Sequence, residues 1–487
     1  MSELADQLTR LSPQKRALLE AELRRRRAGH PREPALVRRP AGQPPTLSLA
    51  QRQLWLLDQM MPGSSAYNAT FTMTIEGELE PDLLHRALDT IVQRHEALRT
   101  VARLSTAGRP EAVLLEGTGV RWEQVDLTDD RATLDGLLDG AAKEPFDLAR
   151  DVFLRARLFR LGPAEYVLIL VVHHIASDGW SRGILFSELS ELYNAYRRGE
   201  EPHLADLPVQ YGDFALWQEG LFDEARFARE AAFWREQLAG ANVVLDLPTD
   251  HPRPARPSHR GGRTGLTLPE ETNNLLRRVG RDERATLFMT LMAATGVFLL
   301  ALTSQDDIVL GSPVANRLRP ELEGLIGFFV NTVIFRVRLG GDPSFRQLVG
   351  RARAATIDSL AHQELPFDKL VELLRPKRYP GRNPLFQVNY RMQGVAPPTP
   401  RLDGAKTNRV ITDVGASRFD LGIGFVDAPG PLRGYLEYSY DLIDPTTAVA
   451  WAGAMTTVLT AVAAGPGTPL SHIVGLARAA LASEQRA

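Results

Sequence analysis

His173-His174-Ile175-Ala176-Ser177-Asp178-Gly179 stands between an almost purely apolar run at 166–172 and a long helical pattern that opens at Trp180. The run reads as a strand, so the heptad is a strand mouth turning sharply into a helix N-terminus, where α/β enzymes commonly hold reacting groups. Side chains on a strand alternate between faces, so His173 and His174 do not both point at one reacting atom if the strand continues through them. One faces the reaction space and the other faces packing or a backbone carbonyl. The same geometry argues against a metal ion shared by the pair. Asp178 supplies a carboxylate that can orient a neighbour, and Gly179 permits a tight bend or the close approach of a substrate chain. A His-His pair alone is more often a buried hydrogen-bonded pair; the order of strand, heptad and helix is what points to chemistry.

The rest of the chain bounds that chemistry. With 487 residues and 44% hydrophobic content, the protein is long enough for more than one packed unit. A net charge of −2 gives no global attraction to nucleic acid or to an anionic membrane, and neither is expected as a partner. There is no cysteine, which excludes disulfides, thiolate metal sites and a cysteinyl acyl-enzyme. No GxSxG elbow appears, so direct transfer is the simplest acyl chemistry. The N-terminal residues lack an apolar signal segment and carry Glu3, Asp6, Glu20 and Glu22, unlike a transit peptide, so a cytoplasmic location is expected. The uncharged region within 285–304 is interrupted by Thr286, Thr290, Thr295, Gly296 and Thr303 and reads as a core helix rather than a membrane span.

Ser12-Pro13 reads as an N-cap with proline at the first helical position, opening a short helix with Leu18, Leu19 and Leu23 on its apolar side. Arg24 to Arg27, with Arg38 and Arg39, form a basic cluster that reads as a solvated face rather than as a dock for an acidic partner. Prolines 31, 34, 40, 44 and 45 make a stiff linker. Beyond it, helices are predicted over 81–94 and 181–198 and strands over 152–159 and 165–172. After a Pro/Arg/Gly-rich passage at 248–262 the alternation resumes, with a helix from Leu287, strands at 307–310 and 329–337, and a helix over 344–362. This is an α/β pattern in two tandem lobes without a detectable sequence repeat.

Other short motifs accompany the heptad in a fixed order: SLAQRQLW (48–55), RHEALRT (94–100), YGDFALWQ (211–218), IGFFVNT (326–332), HQELPFD (362–368) and RNPL (382–385). Together they resemble the condensation domains of non-ribosomal peptide synthetases, in the chloramphenicol acetyltransferase-like superfamily, from residue 46 to the last helix. PGSSAYN at 62–68 and the continuation Gly179-Trp180-Ser181 look most like the subtype that takes an L-configured donor. The resemblance implies an α/β fold of two acetyltransferase-like lobes in a V-shaped pseudo-dimer, with the heptad and an active-site tunnel at their junction. The corresponding division is 1–45 for the N-terminal helix and linker, 46–240 for one lobe and 241–480 for the other. It also implies that positions 312–321 and 390–410 bridge the lobes.

The reaction so implied is attack of an amine held on one phosphopantetheine arm on a thioester held on another. Donor and acceptor peptidyl carrier proteins deliver the arms, an adenylation domain in cis or in trans loads them, the chain itself binds no cofactor, and the isolated unit is a monomer. An α-amine has a reference pKa of about 8, and attack makes its nitrogen acidic, so a neutral imidazole of reference pKa about 6.5 suits the proton. The resemblance gives that role to His174, leaving His173 as a structural neighbour. It makes Asp178 the partner of an arginine, with Arg317 in GSPVANR (311–317) as first choice and Arg99 as second. Gly179 is a candidate backbone donor to the oxyanion. Trp180, Ser181 and Asn383 are candidate tunnel residues. Trp55, His95, Glu96, Tyr211, Asp213 and Trp217 read as packing residues.

Two other functions compete: a free-standing relative forming an ester with a hydroxyl acceptor, and a catalytically silent platform that recruits carriers or tailoring enzymes. The intact heptad counts against the platform. Epimerisation domains share the histidines but fit the residues after Gly179 poorly. A metal-dependent hydrolase lacks a ligand set, and a membrane glycerolipid acyltransferase spaces its histidine and aspartate differently.

Overall fold

The computed structural model describes residues 34–394, 399–410, 415 and 417–484. The helix expected after Ser12-Pro13 and the basic run 24–27 lie outside the described residues. In the N-terminal half, β1 (Asn68–Gly77) is followed by the hairpin β2 (Thr100–Leu104) and β3 (Pro110–Leu114), then β4 (Arg121–Asp126), β5 (Leu154–Gly162) and β6 (Glu165–His173). The C-terminal half supplies β7 (Gly261–Leu268), β8 (Asp307–Val314), β9 (Asn331–Arg338), β10 (Val388–Gly394), β11 (Ala405–Val410), β12 (Leu421–Asp427) and β13 (Leu432–Ser439).

Two large sheets organise these strands, apart from β2 and β3, which pair with each other as a separate two-stranded sheet. The first has the order β11-β1-β6-β5-β4 and the second β7-β13-β12-β10-β8-β9. The apolar run of β6 is explained by its place: it lies between β1 and β5 and is buried from Tyr166 to His173, so no face is left for polar alternation. Helices Pro81–Arg94 and Ser181–Arg198 pack in the same core through Leu84, Leu88, Ile91, Leu185, Leu189 and Leu192. The uncharged stretch in the second half is helix Leu287–Thr303, capped by Thr286 and buried along nearly all its length in the C-terminal core. Each fully buried Leu or Phe in it, such as Leu291 and Phe298, contributes about 1.5–3 kcal/mol. Helix Pro445–Ala464 is long and apolar enough to cross a membrane, yet it too packs Trp451, Met455, Val458 and Leu459 into that core.

β11 departs from the order of the chain. Although it follows β10, it pairs antiparallel with β1, Thr72 opposite Val410 and Gly77 opposite Ala405, and covers the edge of the N-terminal sheet. The proline linker and basic cluster also differ from expectation. Leu36 is buried in a small core with Val209, Tyr211, Phe214 and Phe329, and Arg39 is an ion-pair partner of Glu96 and of Asp213, 2.8 Å away from the latter. The linker is therefore tied down, and Arg39 is a structural cation rather than part of a solvated face.

Candidate active site

β6 ends at His173, and His174 begins a single 3-10 turn, His174–Ala176, so the two rings diverge. His173 is buried, 2% exposed, among Phe146, Phe153 and Tyr67, with ring centroids 5.6, 5.9 and 6.3 Å away. Its Nδ1 accepts the Ile175 N–H at 3.2 Å, which caps the turn. Burial, with the charges of His174 and Arg155 adding to it, pulls its pKa down to about 3. This imidazole is a packing group.

His174 is different. Its backbone N–H donates to the Tyr67 carbonyl at 2.9 Å, and its ring lies edge-on to Phe328, 6.2 Å between centroids. Nδ1 sits 3.1 Å from the Ser177 carbonyl, which only accepts, so Nδ1 carries the proton and Nε2 holds a lone pair. The side chain remains partly exposed although protein crowds it, and that desolvation, reinforced by Arg418, draws the imidazole pKa down to about 3. The arrangement supplies a neutral hydrogen-bond acceptor at the junction of the two halves.

Asp178 fastens the halves together. Its Oδ1 accepts from the Ser181 N–H at 3.0 Å and hydroxyl at 2.8 Å, its Oδ2 accepts the Phe329 N–H at 3.1 Å, and Arg317 Nη2 donates to Oδ1 at 3.2 Å. Burial alone would raise this carboxyl, but Arg317 and Ser181 outweigh it and hold it below the usual range. Arg317 also donates to the Leu325 carbonyl at 2.7 Å and lies 4.0 Å over the Phe329 ring. Three backbone N–H groups of the loop before β9 are thus captured by the N-terminal half: Ile326 by His95 Nδ1, Gly327 by Ser181 Oγ and Phe329 by Asp178. His95 donates its other nitrogen to Glu188 at 2.8 Å, which fixes the ring.

Two expected placements, those of Arg99 and Ser181, need correction. Arg99 is not near Asp178; its guanidinium donates to the carbonyls of Leu115 and Gln93 and braces β2 and β3. Ser181 is 1% exposed and spends its hydroxyl on Asp178, so it does not line an open passage. Asn383 caps its own turn, its Oδ1 accepting the Leu385 and Phe386 N–H groups. Trp180 reaches across the halves, its indole N–H donating to the Glu323 carbonyl at 2.9 Å. Gly179 occupies the half-buried turn before helix Ser181–Arg198 without a left-handed φ, so its conformation does not by itself require glycine.

Tyr211, read from sequence as a core and lobe-packing residue, lies at the junction of the halves. It takes a hydrogen bond from Ser48 at 2.8 Å and gives its own proton to the Phe328 carbonyl at 2.7 Å. Tyr211→Phe leaves two buried polar groups short of a partner, so it is expected to cost about 1–3 kcal/mol, read from the shift of a denaturant midpoint. Arg418, whose charge reaches His174, is a site residue that the sequence did not single out. A lone arginine before a strand carries no local signal of what it will face.

Two halves built on separate sheets, with a histidine turn and an aspartate–arginine pair at their junction, define an acyltransferase-like fold. The chain belongs to the family described as Condensation domain, which matches residues 43–480. It is similar to one of the subunits of linear gramicidin synthase from Brevibacillus parabrevis, 40% identical over 91% of the chain and 6% of that protein. Phosphinothricin tripeptide synthetase PhsC of Streptomyces viridochromogenes is 37% identical over 98% of the chain and 44% of its own length. The chain therefore spans less than half the length of these relatives. Among solved structures, the X-domain in complex with OxyB from teicoplanin biosynthesis superposes with a TM-score of 0.83 and 30% identity, covering 91% of this chain and 99% of its own. No group of three His, Asp or Glu side chains is placed to hold a metal among the described residues.

Proposed function

We propose that the chain is a condensation enzyme that joins two carrier-bound substrates by an amide bond. The neutral amine on the acceptor arm attacks the donor thioester carbonyl, the carbon–sulfur bond breaks, and the donor phosphopantetheine leaves as a thiol. The observation that carries this reading is the state of His174: Nδ1–H tied to Ser177, Nε2 unprotonated and the side chain partly open at the junction. Nε2 accepts a hydrogen bond from the attacking amine, orients its lone pair, and receives the proton as negative charge develops on the carbonyl oxygen. An imidazole held near 3 is a weak base before attack, so orientation is the larger part of its contribution. The carriers, an adenylation partner, the L-configured donor and a cytoplasmic setting belong to this same proposal.

The likeness to a structure named an X-domain, solved in complex with OxyB, favours a recruitment platform as second reading. Incubating the purified chain with an acyl-loaded donor carrier and an aminoacyl-loaded acceptor carrier, followed by mass spectrometry of both, separates the two. Condensation moves the acyl mass onto the acceptor and empties the donor; unchanged carrier masses with stable complex formation overturn the enzyme reading. Replacing the acceptor amine by a hydroxyl tests ester formation in the same assay.

The depressed His174 pKa also fixes a pH dependence. The neutral imidazole is the competent form, and because its pKa lies below 6.5 it stays neutral down to about pH 3. The acid limb of the rate is therefore expected to follow the substrate amine, with a midpoint of about 8, and to show no break at about 6.5. Initial rates between about pH 5.5 and 9, a window that spans both reference values, check this.

A further inference from the structure

Arg418 reaches from the C-terminal half onto the backbone that holds His174. Its Nη2 donates to the Ala66 carbonyl at 2.9 Å and its guanidinium lies 5.0 Å from the centre of the Tyr67 ring, while the Tyr67 carbonyl holds the His174 N–H. The residue is solvent-accessible although protein crowds its charge. Among the described residues no carboxylate pairs with it. Asp368, the carboxyl whose charge reaches Tyr67, is pushed up to about 6 by burial, an effect that an ion pair with Arg418 would reverse.

The wall beside Arg418 is a face of the C-terminal sheet. Arg391 on β10 and Arg263 on β7 each donate to Glu437 on β13 at 2.8 Å. Between them β12 presents Gly422 and Gly424, opposite Glu437 and Tyr435 in register. A Cβ at Gly422 would meet Arg391, and one at Gly424 would strike the Tyr435 ring, so the glycines let these longer side chains lie flat across the strand. Arg391 and Glu437 both act electrostatically on Arg418, so the groups share one space. Among the described residues, Glu437 is bound by Arg391 and Arg263, and Arg418 has no carboxylate of its own in contact. A cation crowded by protein with no carboxylate against it is costly unless a ligand neutralises it.

We propose that Arg418, with Arg391 behind it, forms the anion-binding end of a substrate subsite, and that one of the two chains brought to His174 carries a free carboxylate. The roles of donor and acceptor rest on the condensation reading; the binding of the anion does not. The cations extend from Tyr67 along β10, which suits a side group lying on the sheet better than the single oxyanion of the reacting carbonyl. A guanidinium–carboxylate contact is the strong, charge-assisted kind.

The test is equilibrium binding of non-hydrolysable pantetheine thioethers in matched pairs, glutaryl against its ω-carboxamide for the donor arm and glutamyl against glutaminyl for the acceptor arm. The carboxylate member of one pair is expected to bind at least about tenfold tighter to the wild-type chain, with the preference weakening in salt. Arg418→Gln is expected to abolish the preference without changing affinity for the carboxamide, and Arg418→Lys to keep part of it. Thermal melts of both variants confirm that they are folded. Equal binding of acid and amide in both pairs overturns the proposal, as does equal weakening of both by Arg418→Gln, which would assign the arginine to the common backbone of the substrates. A chain that shows the preference but forms no amide supports the subsite and overturns the condensation reading alone.

Discussion

Replacing His174 by alanine is expected to lower the condensation rate by about 10²- to 10⁴-fold while leaving the fold and carrier binding in place. The ring's own contacts are few: Nδ1 to the Ser177 carbonyl and an edge against Phe328. The backbone bond to Tyr67 survives the substitution. Turnover should not vanish, because two tethered reactants confined together gain several kcal/mol from proximity alone, up to roughly 7–11 in well-oriented systems. His173→Ala is expected to do the reverse. It opens a cavity among Phe146, Phe153 and Tyr67 and leaves the Ile175 N–H without its acceptor, so soluble yield and melting temperature fall first. Single-turnover transfer between loaded carriers, measured beside thermal melts, checks both. A fully active His174→Ala chain would remove the imidazole from the mechanism, and a catalytic defect confined to His173→Ala would move the role to the other ring.

What was legible in the sequence was local. The helices predicted over 81–94 and 181–198 match Pro81–Arg94 and Ser181–Arg198, because amphipathic periodicity and flanking Pro and Gly are written in consecutive residues. The divergence of the two histidines followed from strand geometry, and the turn at His174 accentuates it. What was hidden is carried by contacts across the chain. The partner of β11, β1, lies far earlier in the sequence, and nothing in the residues AKTNRV themselves announces that crossing; only the resemblance, which makes 390–410 a bridge between the lobes, implied it. Arg39 looked like one of several surface arginines until Glu96 and Asp213 converged on it. Ser181 follows the heptad so closely that it suggested a tunnel position, but the same closeness bends its hydroxyl back onto Asp178. Arg99 and Arg317 are equally charged, and only the folded chain shows which one arrives.

That arrival sets the second large effect. Asp178 and Arg317 are both buried, with side-chain exposures of 3% and 0%, so removing either partner strands the other's charge away from water. Asp178→Asn or Arg317→Met is expected to cost about 3–5 kcal/mol of folding stability, far beyond what an exposed pair would give. The loss reaches activity through geometry. Asp178 and its neighbour Ser181 hold the N–H groups of Phe329 and Gly327, and between those residues Phe328 sets its ring against His174. Loosening that loop frees the wall of the site before it unfolds the lobes, so the rate at low temperature should fall even where the variant remains folded. Replacing both partners together is expected to cost less than the two single losses added, because the double variant leaves no stranded charge. Denaturant unfolding of the wild type, both single variants and the double variant gives the coupling directly. Single losses below about 1 kcal/mol would mean that the pair behaves as if exposed, and the junction would then have to be held by Tyr211, His95 and the indole of Trp180 instead.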